Sequence, residues 1–243
     1  LLAAGGLWRD AIKEFDESIK LDPSAADAHV NRGIAYAEIG QFQRALEDYD
    51  EAILLDPGLP GAHYNRGLAS SSLGNYAQSV VDYSEAIRLD PKSPDAYFNR
   101  GYSHSQLGQH QLAVEDFNNA AILDSTDVEA YRSKALAHRA LGEYELAIET
   151  FDQVIALNPQ DTAAYIDRGI SYDNMAQHEM AVEDFSQAIM VDPGSSLAFA
   201  NRALVLAFIG MEAEARADAE RAIELGIDRE GLIATLELNL EHR

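Results

Sequence analysis

The amino-acid sequence repeats itself with a step of 34 residues along almost its whole length. The repeat shows first in five of the seven prolines, which follow one another at 34 or 68 residues: Pro23, Pro57, Pro91, Pro159 and Pro193. A repeat of this length is one supersecondary unit, and a single unit cannot bury its own apolar face. The chain is therefore expected to fold as a stack of similar units, each packed against its neighbours.

Small and aromatic residues recur with the same step. The aromatic column consists of Phe15, Tyr49, Tyr83, Phe117, Phe151 and Phe185, and it ends at Ala219. One column rich in glycine consists of Gly33, Gly67, Gly101, Ala135, Gly169 and Ala203, and another of Gly6, Gly40, Gly74, Gly108, Gly142, Ala176 and Gly210. Small residues let helix backbones approach closely, and the rings fill the space that is left. The columns therefore predict closely packed pairs of helices.

Each unit is predicted to contain two helices, as residues 94–124 illustrate. Ser93 is a favourable N-cap, and Pro94 suits the first position of a helix. Small and aromatic residues then follow at helical spacing as far as Gly108, where the first helix is expected to end. The second helix is expected to stop near Asp124, because in the sister units an Asp-Pro pair stands there and proline cannot continue a helix.

Taken together, these columns resemble the tetratricopeptide repeat family over nearly the whole chain. The resemblance implies an all-α fold, a right-handed α-solenoid of stacked helix-turn-helix units, as a single domain over residues 1–243. The expected parts are a half repeat at 6–25, full repeats at 26–59, 60–93, 94–127, 128–161, 162–195 and 196–227, and a lone or capping helix at 229–243. The Asn-Arg-Gly form of the repeats is common in bacterial-looking arrays of this family.

A basic column departs from the usual family pattern. Where the family usually has leucine before the first glycine column, the chain has Arg32, Arg66, Arg100, Lys134, Arg168 and Arg202. Sixteen residues after each of these stand Asp48, Asp82, Asp116, Thr150, Asp184 and Asp218. The unit that has lysine is also the unit that lacks aspartate. We therefore expect a bidentate Arg–Asp pair to link the two helices in each of the five remaining repeats. The alternative is that both columns are simply solvated.

The chain is strongly acidic, with 41 Asp and Glu residues against 18 Lys and Arg and a formal net charge of −23. This charge argues against nucleic acid and anionic lipid as partners, because both need clustered Lys and Arg. No apolar run approaches the roughly 20 residues of a membrane span. One basic island, expected to pair with Asp167 and Asp173, consists of Arg132, Lys134, His138 and Arg139.

No pattern in the sequence predicts a catalytic, metal or cofactor site. Six of the seven histidines stand in columns that hold aromatic residues in sister units: His29, His63, His104, His110, His138 and His178. A flat ring, and not a metal ligand, is what such positions require. The acidic residues repeat with the unit and so lack the unlike environments of a catalytic carboxylate pair. We therefore expect a non-enzymatic protein without a cofactor.

The resemblance implies that the first helices of successive repeats line a concave groove. The residues expected to bind a peptide there are Asn31, Ile34, Tyr64, Asn65, Leu68, Phe98, Asn99 and Tyr102. Side-chain amides can bond to the backbone of an extended peptide, and aromatic rings are common binding anchors. Alternatively, the rings pack against the neighbouring repeat. The family's clamp for a C-terminal carboxylate, which uses lysines and asparagines, is absent, since the matching positions hold Val30, Ile34, Tyr64 and Leu68.

The two ends of the array suggest self-assembly as a second hypothesis. A lone final helix of one molecule could complete the initial half repeat of the next, and such a head-to-tail contact generates a filament or tube when it does not close. The candidate residues are Leu1, Leu2, Leu7, Trp8, Ala234 and Leu238. The alternative is an ordinary C-terminal cap on a processed or trimmed chain.

Two functions therefore follow from the sequence. The first is a non-enzymatic protein–protein interaction scaffold that binds a protein or peptide in its groove. The second is a structural subunit that forms a homo-polymer. A regulatory module cut from a larger enzyme would leave the same sequence pattern. Either a cytoplasmic or an extracellular location suits the chain, with the latter favoured by filament formation.

Overall fold

The computed structural model describes residues 2–241, and of residues 2–5 and 241 it describes the backbone alone. Within this range the chain forms fourteen α-helices and no β-strand. The helices are α1 (Leu2–Leu21), α2 (Ala26–Glu38), α3 (Phe42–Leu55), α4 (Pro60–Ser72), α5 (Tyr76–Leu89), α6 (Pro94–Gln106), α7 (His110–Leu123), α8 (Val128–Ala140), α9 (Tyr144–Leu157), α10 (Thr162–Asn174), α11 (His178–Val191), α12 (Ser196–Phe208), α13 (Glu212–Glu224) and α14 (Arg229–Glu241). The all-α class predicted from the repeat is confirmed.

The helix boundaries follow the caps and turn glycines of the sequence. At the start of α6, the Ser93 hydroxyl accepts a hydrogen bond from the backbone N–H of Ala96, and Pro94 occupies the first turn. The turn after α6 contains Gly108, whose φ of +72° is costly for a residue with a side chain. Helix α7 then ends at Leu123, beside the predicted stop.

Helix α1 differs from expectation at its start. The period places Gly6 among the turn glycines, yet α1 begins at Leu2 and runs through Gly6. An interior glycine costs a helix only about 1 kcal/mol relative to alanine, so the helical hydrogen bonds can continue past it. The helix is therefore longer than the half repeat at 6–25 suggested.

The chain forms two compact units, of which the first ends at Ser125 and the second starts at Thr126. In unit 1, α2 packs against α3, α4 against α5 and α6 against α7, and α1, α3 and α5 also pack against the helix that follows each of them. In unit 2, the pairs are α8 with α9, α10 with α11 and α12 with α13, and α14 packs mainly against α12. We call α2, α4, α6, α8, α10 and α12 first helices, and α1, α3, α5, α7, α9, α11 and α13 second helices. The single solenoid over 1–243 stays a prediction.

The aromatic column forms the core of the repeats in both units. Tyr49 and Tyr83 in unit 1, like Phe151 and Phe185 in unit 2, are at most 1% exposed. The glycine column allows this packing, since a Cβ added at Gly33 would lie 2.6 Å from Cε1 of Tyr49. The backbone of α2 therefore approaches the ring more closely than a side chain at this position would permit.

Candidate functional site

The structure brings the predicted arginines and aspartates together. Arg32, on α2, donates from Nε to Oδ2 of Asp48 at 2.9 Å and from Nη2 to Oδ1 at 2.6 Å. Arg100 and Asp116 make the same two contacts at 2.8 and 2.7 Å. Two parallel N–H···O contacts hold a planar guanidinium in one orientation against a planar carboxylate. Each pair therefore fixes how the two helices of its repeat lie against each other.

Unit 2 has the same arrangement, whereas one pair of unit 1 departs from it. The pairs of unit 2 are Arg168 with Asp184 and Arg202 with Asp218. In both, Nε and Nη2 donate to separate carboxylate oxygens at 2.6–2.9 Å. Arg66 instead donates from both nitrogens to Oδ1 of Asp82. The second oxygen of Asp82 is therefore buried without a hydrogen-bond partner.

The same arginines contact a third helix, which the sequence analysis missed. Nη1 of Arg32 donates to Oδ1 of Asp16 on α1, and Nη1 of Arg66 donates to Oδ1 of Asp50 on α3, both at 2.7 Å. Each arginine thus joins its own repeat to the preceding second helix. In the sequence, these contacts could have been recognised from a polar column that stands sixteen residues before the basic column: Asp16, Asp50, Ser84, Asn118, Asp152 and Ser186.

These contacts keep the arginines charged and use their donors. The hydrogen bond to Asp48 is the main cause that raises the pKa of Arg32, and the hydrogen bond to Asp184 likewise raises the pKa of Arg168. Both side chains are about four-fifths buried. The arginine column is therefore a packing device, and three of the five N–H groups of Arg32 and of Arg168 are already used within the protein.

The repeat that contains Lys134 is built differently. Thr150 stands where the other repeats have aspartate, and its buried hydroxyl donates to the backbone carbonyl of Leu146 at 2.7 Å. Burial lowers the pKa of Lys134. Because a lysine cannot make the two-pronged contact of a guanidinium, the two positions change together.

The basic island on α8 pairs within the protein. Arg132 donates to both carboxylate oxygens of Asp161, which also caps α10. Arg139 donates from Nη1 to Oδ1 of Asp167, on α10, at 2.5 Å. Asp173, the other acid expected near the island, instead contacts a histidine of α11 at 2.8 Å. These two arginines therefore already form ion pairs with the N-cap and with a residue of α10.

Several histidines lie in the packed interior of their repeats. The buried ones are His29, His63, His104 and His138. Nδ1 of His104 lies 2.6 Å from Oε1 of Gln109. Within the described residues, no group of three or more His, Asp or Glu side chains could hold a metal ion. Over the same range, no helix has both the length and the apolar character that crossing a bilayer requires.

The eight residues predicted to bind a peptide lie on the three first helices of unit 1. They are Asn31 and Ile34 on α2, Tyr64, Asn65 and Leu68 on α4, and Phe98, Asn99 and Tyr102 on α6. In each helix, the residue of the apolar column (Ile34, Leu68 or Tyr102) lies three or four residues from the other members, so it shares one side of the helix with each of them. We call the surface formed by these eight residues the first-helix face.

The rings of the first-helix face differ in exposure. The ring centroid of Tyr64 lies 5.7 Å from that of Tyr83, and the centroid of Phe98 lies 5.5 Å from that of Phe117. Tyr64 and Phe98 therefore pack against the core ring of their own repeat and present only part of their surface. Tyr102 is 43% exposed and is the most open ring of this face, although its centroid lies 6.2 Å from that of Tyr76 on α5.

Two of the three asparagines of the face donate hydrogen bonds within the protein. Nδ2 of Asn65 donates to the Gly61 carbonyl at 2.8 Å. Nδ2 of Asn99 donates to the Asp95 carbonyl at 2.8 Å and to the Tyr64 hydroxyl at 3.0 Å. Both amide hydrogens of Asn99 are therefore used, and only its Oδ1 is left for a partner. Asn99 thus presents an acceptor where the sequence suggested a full amide.

A cavity of about 180 Å³ opens beside Tyr64, between the start of α4 and the start of α6. Its lining residues are Pro60, Gly61, Tyr64, Ala86, Asp90, Ser93 and Ala96. The wall is thus mostly apolar and includes one carboxylate. The volume is below that of typical small-molecule pockets and suits a single side chain.

Unit 2 exposes apolar side chains that the sequence analysis did not select. On α12, Leu197 and Phe208 are 58% and 50% exposed, and their spacing places them on one side of the helix with Leu204. The exposed apolar side chains could have been predicted from the composition of α12, in which Arg202 is the only charged residue. A helix of this composition carries apolar side chains on more than its core-facing side.

The structure describes the side chains of four self-assembly candidates: Leu7 and Trp8 on α1, and Ala234 and Leu238 on α14. Leu1 and the side chain of Leu2 lie outside the described residues. Leu7, Ala234 and Leu238 are exposed, and Trp8 is partly buried. On the other side of α14, Leu232 and Leu236 are buried in the core of unit 2.

Helix hairpins repeated every 34 residues define this chain as an α-helical repeat protein. Family models described as tetratricopeptide repeat match residues 1–63, 94–127, 128–161 and 162–195, and one described as TPR repeat matches residues 71–108. Three of the matches coincide with units expected from the columns. The chain belongs to the tetratricopeptide repeat family.

Solved structures show the same fold. The C-terminal part of a TPR repeat-containing protein from Cytophaga hutchinsonii superposes with a TM-score of 0.80 at 17% identity, over 96% of this chain and 98% of that one. YrrB, described as a TPR protein with an unusual peptide-binding site, gives 0.70 at 24% identity, over 76% and 95%. MamA 41-end from Desulfovibrio magneticus RS-1 gives 0.65 at 21% identity, over 70% and 96%. No curated protein sequence matches the chain.

Proposed function

We propose that the protein is a protein–protein interaction scaffold and that the first-helix face of unit 1 binds a peptide segment of a partner. The observation that carries this proposal is the ring of Tyr102, which is 43% exposed in the same repeat column as Ile34 and Leu68. Aromatic side chains are frequent anchors at interfaces because they bury a large area with few rotatable bonds. The peptide-binding site ascribed to YrrB supports the same use of the fold here.

The arrangement of columns favours an extended segment. An apolar column (Ile34, Leu68 and Tyr102) runs from helix to helix beside an asparagine column (Asn31, Asn65 and Asn99). A chain that crosses α2, α4 and α6 therefore meets an apolar surface and an amide oxygen once in every repeat. Backbone N–H groups of the segment can donate to these oxygens while its side chains cover the apolar column.

The test uses peptides selected from a random display library on the full chain. The double variant Tyr64→Ala/Tyr102→Ala is expected to bind the selected peptides at least about tenfold more weakly, with unchanged helicity by circular dichroism. Leu54→Ala/Val81→Ala is the matched control, because it removes two exposed apolar side chains from second helices. Equal loss in both variants, or no loss in the first, would contradict the proposal.

Head-to-tail self-assembly is a second candidate function, which the exposed residues Ala234 and Leu238 of α14 favour. Light scattering of the purified chain at increasing concentration tests it. Assembly should disappear in Leu238→Lys, because a charge would then be buried at the contact. A chain that stays monomeric at high concentration, and that is unaffected by Leu238→Lys, would exclude this function.

A further inference from the structure

We propose that the segment bound by the first-helix face is cationic, with lysine or arginine side chains beside its apolar anchors. This inference rests on the proposed function and adds the chemistry of the partner. It follows from the polar groups of the face that are already bonded within the protein and from those that are open.

The cations of the first helices are already paired with carboxylates of the protein itself. Arg32, Arg66 and Arg100 are the only Lys or Arg residues of α2, α4 and α6. Each donates from Nε and Nη2 to the aspartate of its own repeat and from Nη1 to the preceding second helix. The other cations of residues 26–106 lie on second helices or in a turn: Arg44, Arg88 and Lys92. A carboxylate of the partner would find no free guanidinium on this face.

The acids of the same helices, in contrast, are open. Asp27, Glu38 and Asp95 are exposed, and none of them makes an ion pair with any residue that the structure describes. Each stands four residues from a member of the first-helix face: Asp27 from Asn31, Glu38 from Ile34, and Asp95 from Asn99. Residues four apart are neighbours on a helix surface, so these carboxylates border the face.

The uncharged polar groups of the face point to the same partner. Asn99 has used both amide hydrogens and offers Oδ1. The charge of Asp95 acts on the face directly, since it adds to burial in raising the pKa of Tyr64. Around Asn99 and Asp95 the face therefore offers an acceptor and negative charge, and a complementary segment supplies donors and positive charge there.

The cavity beside Tyr64 suits a long cationic side chain. A lysine or arginine stem would lie against the Tyr64 ring, Ala86 and Ala96, with its charged end near Asp90. Oδ1 of Asp90 accepts a hydrogen bond from the backbone N–H of Lys92 at 3.1 Å, which keeps the carboxylate in place at the cavity. This side chain would combine apolar contact with charge complementarity in one site.

The test uses three labelled peptides that share the apolar anchors of one peptide selected on the full chain. The positions between the anchors are all Lys in the first peptide, all Gln in the second and all Glu in the third. Fluorescence anisotropy measures the affinity of each peptide for the full chain. The Lys peptide is expected to bind at least about tenfold more tightly than the Glu peptide at low salt, with a smaller ratio at high salt. The Gln peptide should lie between them.

Two triple variants of the chain test whether the carboxylates that border the first-helix face cause the preference for the Lys peptide. Asp27→Asn/Glu38→Gln/Asp95→Asn should weaken the Lys peptide about fivefold to tenfold and leave the Gln peptide unchanged. The control triple variant changes the net charge equally but on second helices: Glu47→Gln/Glu51→Gln/Glu115→Gln. It should leave the affinity for the Lys peptide within about twofold of the original value.

The outcomes separate the two proposals. If the Glu peptide binds as tightly as the Lys peptide, or if both triple variants weaken the Lys peptide equally, the cationic partner is excluded. Peptide binding that still depends on Tyr64 and Tyr102 would then keep the proposed function. If no peptide binds, or if binding is indifferent to Tyr64→Ala/Tyr102→Ala, the proposed function itself is excluded.

Discussion

At the scale of single residues, the turn between α10 and α11 holds Ala176 in a costly backbone conformation. Its φ is +57°, where the equivalent turns have glycine at +72° to +94°. In this region a residue with a side chain raises the free energy of the folded state by about 1–2 kcal/mol. Glycine avoids that cost, but its greater freedom in the unfolded chain lowers stability by about 0.4–1 kcal/mol. We expect Ala176→Gly to raise the free energy of unfolding by roughly 0.5–1 kcal/mol in urea denaturation. Gly142→Ala should lower it, and a destabilised Ala176→Gly would contradict this explanation.

Tyr83 affects stability through its hydroxyl, which is buried without a hydrogen-bond partner. Burial is the main cause that raises the pKa of Tyr83 above its usual value near 10. The folded state thus prefers the neutral phenol. This contribution to stability is complete below about pH 10 and is lost at higher pH, where the unfolded chain releases the proton first.

Tyr83→Phe tests both consequences, since Phe117 already occupies the equivalent position of the next repeat. The variant should gain about 1 kcal/mol of unfolding free energy at pH 7, because the unpaired hydroxyl is removed. It should also lose less stability than the original chain above about pH 10. Urea denaturation at a series of pH values measures both effects. A less stable variant at pH 7 would show that the hydroxyl has a partner.

At the scale of helices, the arginine column holds together elements that local propensity alone does not position. Arg100→Met would remove the guanidinium from the buried Asp116 and leave only His104, whose Nε2 lies 3.8 Å from Oδ2, at an expected cost of about 3–5 kcal/mol. Arg100→Met/Asp116→Leu removes both charges and should recover most of that loss. Arg88→Met, which breaks an exposed pair with Glu85, should cost less than about 1 kcal/mol. Equal unfolding free energies for Arg100→Met and Arg88→Met would contradict a structural role of the column.

The helices and the first partner of each arginine could be predicted because local or paired signals specify them. Pro94 and Gly108 act on their own turns, and the joint change to Lys134 and Thr150 pointed to the Arg–Asp pairing. The third helix that each arginine contacts was missed, because its column mixes Asp, Ser and Asn. The bonding of the Asn99 amide was also missed, since it depends on where the Tyr64 hydroxyl of another helix lies.

At the scale of the whole molecule, the net charge of −23 predicts opposite effects of salt on the two candidate functions. Binding of a cationic segment should weaken as salt screens attraction, whereas end-to-end association of like-charged copies should strengthen as salt screens repulsion. Peptide anisotropy and light scattering over one salt series measure the two effects. Peptide binding that is indifferent to salt would contradict the electrostatic part of the account.

The proposed function places a partner segment on the first-helix face of unit 1. Its most direct test is photo-crosslinking of a selected peptide to a benzophenone side chain placed at Tyr102 or, as control, at Val81, an exposed position of a second helix. We expect efficient crosslinking from position 102 and little from position 81. Crosslinking from position 81 without crosslinking from position 102 would contradict it.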